Sequence, residues 1–140
     1  MTINWVIYGF GSAVCFTGMT LVFKKLFIMG INPLVLNMFV FGISFLGFIL
    51  WNVINKTKIN IGLNIILFLI LASLFAILGN YLDVSAVKNA PNPGYAGALK
   101  ASQIVLIALI APILFNSSFS LLKFVGIILV LIGAAIISIF

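Results

Sequence analysis

Residues 26–55 read LFIMGINPLVLNMFVFGISFLGFILWNVIN, 30 consecutive positions without a formal charge. At about 1.5 Å per residue, roughly 20 apolar residues cross a hydrocarbon layer of about 30 Å, so this run holds a membrane-spanning helix with its flanks. Asn and Pro at 32–33 mark its start, because asparagine caps a helix and proline needs no N–H in the first turn. Working outward, residues 1–23, 59–82, 101–122 and 124–140 are also free of charge. Hydrophobic residues make up 65% of the chain and charged ones 6%, with a mean hydropathy of +1.43. A soluble domain carries about a quarter charged residues, so the expected solvent is lipid and the expected class an all-α integral membrane protein.

The pattern predicts five transmembrane helices, near 3–24, 33–54, 62–87, 94–115 and 121–140, forming a single domain over 1–140. The joints MGINP, NKTKIN, NAPNPG and NSSFS hold the turn and cap residues that lipid-embedded backbone requires. Lys100 interrupts the fourth run, but a single helix over 94–140 would be about 70 Å long, so two are expected with a joint at 116–120. The first run lacks a basic leader and a small-residue cleavage signal before Lys24, and reads as a retained helix.

Net charge is +6, yet the seven lysines are scattered and arginine is absent, which does not make a surface for nucleic acid. They suit membrane boundaries, where long stems reach the headgroups. Lys24, Lys25 and Lys88 fall on one side of the predicted topology and Lys56, Lys58 and Lys123 on the other. The count is tied, and a chain able to insert in both senses, pairing antiparallel with itself, is the expectation. Trp5 and Trp51 suit interfacial anchors. The phenylalanines fit either lipid-facing positions or an aromatic pocket. Two sequons, Asn55-Lys56-Thr57 and Asn116-Ser117-Ser118, sit in short joints where chance is the plain reading. Lone Cys15 implies no disulfide.

Chemistry-bearing residues are few. The chain has one acid, Asp83, and no histidine, which excludes paired carboxylates, histidine-based triads and ordinary metal clusters. No phosphate-cradling loop appears, and neither enzymatic activity, cofactor nor metal is expected. The polar residues concentrate in YLDVSAVKNAPNPGYAGALKASQ, 81–103. If NAPNPG is a turn, Asp83 and Lys100 each lie about 9 Å from it. Asn80 with Asp83, and Lys100 with Gln103, are spaced to share a helix face, with Tyr95 nearby. The group reads either as an interfacial salt bridge and snorkelling lysine or as the lining of a substrate path; Asp83 as a proton carrier is the weaker third reading. Small residues suit close helix contact: Gly97 and Ala101 in the fourth helix, Gly126 and Gly133 in the fifth, within the chain or against a second subunit.

AVKNAPNPGYAGAL at 86–99, the apolar run to Phe115 and SLLKFVGIILVLIGAAII at 120–137 with Gly126 and Gly133 together resemble one five-helix repeat of the drug/metabolite transporter superfamily, of the EamA type. GSAVCFTGMTLVFKK at 11–25 is similar to the first helix of the small multidrug resistance proteins. The resemblance implies solute transport by alternating access, through two inverted five-helix repeats in the prokaryotic inner or plasma membrane. One repeat then needs a homodimer, antiparallel where the chain inserts in both senses, or a homologous partner. It also draws Cys15, Thr17 and Gly18 into the path. Cys15 stands where small multidrug exporters have their proton-coupling acid, and Ser117 near a glutamate frequent in EamA repeats. Proton-coupled cation export is therefore not expected, and a neutral, anionic or zwitterionic solute is, with Lys100 as its candidate partner. The alternatives are an accessory membrane subunit and a lipid-carrier flippase.

Overall fold

A computed structural model describes residues 4–59, 61–115 and 120–139, with backbone alone for Asn4, Trp5, Lys123, Ser138 and Ile139. The readings of Trp5 and Lys123 as boundary residues, of Ser117, and of the Asn116 sequon fall outside the described residues and side chains. Every element among the described residues is helical: α1 Asn4–Ile28, α2 Pro33–Ile54, α3 Leu63–Asn89, α4 Pro93–Lys100, α5 Gln103–Phe115 and α6 Leu121–Ile139. Val6–Ile28, α2, α3 and the α4–α5 stretch Pro93–Phe115 are each long and apolar enough to cross a membrane. With α6 at 19 residues, about 28 Å, the chain has five crossings and is an all-α integral membrane protein. Hydrogen bonds within each helix satisfy the backbone where water is absent.

The chain divides into two compact units, residues 1–88 and 89–140. Exposed area is 11449 Å², against about 8,500 Å² expected for two separately compact water-soluble units of this mass. Large apolar side chains are exposed along every long helix, as on a surface that faces lipid or another subunit.

Helix ends carry the sequence logic. Asn32 Oδ1 accepts the N–H of Leu34 at 2.8 Å, and Asn92 Oδ1 that of Gly94 at 2.9 Å, each with proline at the first helical position. The same Asn-Pro cap thus starts α2 and α4. A Cβ on Gly94 would stand 3.2 Å from Asn92 Oδ1, so the second cap favours glycine there. α1 ends with Gly30 at φ 91, its N–H on Phe27 O at 3.0 Å and that of Ile31 on Leu26 O at 3.2 Å. α2 ends on the same motif, with Lys56 N–H on Val53 O and Thr57 N–H on Asn52 O, both at 3.2 Å. There the left-handed position is Lys56 at φ 50, a conformation that glycine adopts more readily.

Between α4 and α5 the helix tightens where Lys100 breaks the apolar run. Ser102 N–H reaches Leu99 O at 3.1 Å, Ile104 N–H reaches Ala101 O at 3.0 Å and Val105 N–H reaches Ser102 O at 3.1 Å. These three-residue steps make two helical segments of one predicted run. In the second unit α4 and α5 both pack on α6, and its buried side chains are Ala96 and Ala134.

Candidate functional site

The first unit contains an uneven three-helix arrangement. A four-residue turn joins α1 to α2, so the C-terminal end of α1 adjoins the N-terminal end of α2. The C-terminal end of α3 reaches the same place: Lys24 Nζ on α1 donates to Lys88 O at 3.1 Å and to Val87 O at 3.3 Å. Among the described residues the unit's buried side chains lie toward this end: Phe23 and Phe27 of α1, Pro33 and Leu36 of α2, Val84 and Val87 of α3.

Each buried stripe continues along its helix into exposed positions. On α2 the stripe Pro33, Leu36, Val40 runs at helical spacing to Gly47, Trp51 and Ile54. There it becomes a wall of an open groove of about 510 Å³, lined by Gly47, Leu50, Trp51, Ile54 and Asn55. On α3 the face of Val84 and Val87 continues back through Asn80 to Ser73, and on α1 the face of Phe23, Lys24 and Phe27 continues back through Thr20, Thr17 and Ser12. Buried side chains gather toward one end of the three helices and exposed ones toward the other, with polar groups on the faces between them.

Those polar groups are tied to their own helices. Ser12 Oγ donates to Gly9 O, Thr17 Oγ1 to Ala13 O and Thr20 Oγ1 to Phe16 O, all at 2.8 Å. Ser73 Oγ donates to Leu69 O at 2.8 Å, Asn80 Nδ2 to Ala76 O at 2.7 Å and Asn55 Nδ2 to Trp51 O at 2.8 Å. A carbonyl only accepts, so each hydroxyl proton points at the backbone and the oxygen lone pairs remain to accept from a visitor.

The residues singled out from sequence divide between the units. Cys15, Thr17 and Gly18 on α1 are exposed, and Asn80 and Asp83 on α3 half-buried, in the first. Tyr95 on α4, Lys100 at its end and Gln103 at the start of α5 are exposed, in the second. Open space stands where a Cβ on Gly97, Gly126 or Gly133 would be, and half-buried Ala101 caps α4. Sequence reading passed over the groove wall of α2, Ser73 on α3, and the tie of Lys24 to α3. The first two had a signal, small and polar residues at helical spacing from apolar ones. The third had none, since nothing local tells a boundary lysine from one that reaches another helix.

The sequence profile of the EamA-like transporter family matches residues 3–139. The chain belongs to the EamA-like transporter family. The match spans all five crossings, so this EamA-like protein is an integral membrane transporter of the drug/metabolite transporter superfamily, a family of transporters and not of enzymes. No curated protein and no solved structure matches it.

Proposed function

We propose that this EamA-like chain carries a small organic solute across the prokaryotic inner or plasma membrane by alternating access, working as a pair of five-helix units. The observation that carries the reading is the first unit itself, packed at one end and open at the other, with a groove of about 510 Å³ on the open side. A path accessible from one side at a time would take this form, and the polar groups on the faces of α1 and α3 are what a solute needs once it leaves water.

A pair is required because one repeat forms half of an inverted architecture. The second half is a second copy, antiparallel if the balanced lysines allow both insertions, or a homologous chain. Gly126 and Gly133, seven residues apart on α6 with open space beside them, suit close approach of that partner. In this reading Cys15, Thr17 and Gly18 border the path, and Asn80, Asp83, Tyr95, Lys100 and Gln103 are its polar contacts. With a single acid and seven lysines, a neutral, zwitterionic or anionic solute fits better than a cation.

The test uses Gly47→Cys in a Cys15→Ala background, in proteoliposomes. A cysteine fits at 47, where a Cβ meets nothing within 4 Å. Reaction with a membrane-impermeant maleimide, slowed by a transported solute, is the expected result. A thiol there that never reacts from either face would mean that lipid fills the groove and that the solute path lies elsewhere.

A further inference from the structure

We propose that Lys24 is the latch of the packed end: its ammonium holds α1 to the last turn of α3 while that end is closed, and must leave those carbonyls for it to open. The inference rests on the transporter reading and adds to it the residue that separates two states.

Lys24 and Lys25 are adjacent and chemically identical, but the structure uses them differently. Lys25 is exposed, whereas Lys24 is half-buried and donates to Val87 O and Lys88 O at 3.3 and 3.1 Å. α3 ends at Asn89, so both acceptors belong to its final turn, where carbonyls lack partners within the helix and the dipole is negative. The bond to Val87 O is part-buried and that to Lys88 O is exposed, so the contact stands at the edge of the buried positions Phe23 and Phe27 on α1 and Val84 and Val87 on α3. Thr20 and Thr17 lie on the same side of α1, one and two turns toward the open end. The latch thus stands at the inner limit of the polar faces.

Lysine suits a bond that must be made and broken. Lipid gives no hydrophobic drive between helices, so van der Waals packing and interhelical hydrogen bonds together set the balance of closed and open. A charge-assisted bond to two carbonyls shifts such an equilibrium by an order of magnitude or more. On release, the long stem lets the ammonium reach headgroups or water without stranding the charge.

The reporter is Val84→Cys in a Cys15→Ala background; Val84 is 1% exposed and cysteine is a small change. Ala134→Cys, in the second unit and 6% exposed at its native alanine, controls for general loosening. Full-length protein in nanodiscs is treated with a water-soluble maleimide. Lys24→Met should raise the reaction rate at position 84 by about 10-fold or more, leave position 134 unchanged, and be reversed by Lys24→Arg. If the Met variant is not recovered folded, Lys24→Gln is read in the same way with a smaller rise. Unchanged reactivity at 84, or equal rises at 84 and 134, overturns the latch. An inert Gly47→Cys would instead remove the groove as the solute path and leave the result at 84 standing.

Discussion

Lys24 Nζ donates to the backbone oxygen of Lys88 at 3.1 Å, a bond in which the Lys88 side chain takes no part. The acceptor is a helix-terminal dipole, which side-chain substitution cannot remove. Lys88→Ala should therefore leave thermal stability within about 0.5 kcal/mol of the parent. Lys24→Met should cost about 1.5–3 kcal/mol, the range for hydrogen bonds to charged groups. Equal losses from the two, measured by thermal unfolding in detergent, would show that the contact is not the one described.

Asn92 caps α4 through its bond to Gly94. Asn92→Ala should cost about 0.5–2 kcal/mol and Asn92→Asp much less, since a carboxylate oxygen accepts the same N–H. Gly94→Ala should also lose stability, because the new methyl crowds the cap oxygen at 3.2 Å. Asn92→Ala tolerated without change would place the start of α4 elsewhere.

Lys56 occupies the left-handed position after α2 at φ 50. Lys56→Gly should raise stability by up to about 1 kcal/mol, since glycine adopts that conformation without a Cβ penalty. Lys56→Val should lower it, and the order Gly, Lys, Val in melting temperature is the check.

Gly47 lies in the groove wall with no neighbour within 4 Å of an added Cβ. Gly47→Leu should narrow the groove and reduce solute flux while leaving folded yield unchanged, because the new side chain enters open space. Flux equal to the parent's, once a transported solute is in hand, would move the path away from α2.

Asp83→Asn and Lys100→Met test the sequence-derived polar set. If the two charges offset each other in the membrane, the double variant should be better folded than the sum of the single losses allows. Additive losses of folded protein would count against that expectation.

Much of the architecture was legible in the sequence because lipid leaves the backbone one solution. Runs such as 26–55 must be helical, their joints must hold caps, and Asn-Pro at 32–33 and 92–93 announces two helix starts. The break between α4 and α5 was visible only as Lys100 in an apolar run. That signal does not tell a tightened turn from an uninterrupted helix, since both keep the residues in the right-handed region.

The sequence by itself determined that this protein is a set of membrane-crossing helices, because hydrophobic length and the scarcity of charge admit no soluble fold, and the EamA-like kind followed from the resemblance of its motifs. Only the tertiary structure decided which end of the first three helices is packed and that Lys24, rather than Lys25, reaches α3. Those facts depend on how the helices are rotated and tilted against one another. Faces that are apolar almost all the way round leave that rotation unmarked in the order of residues.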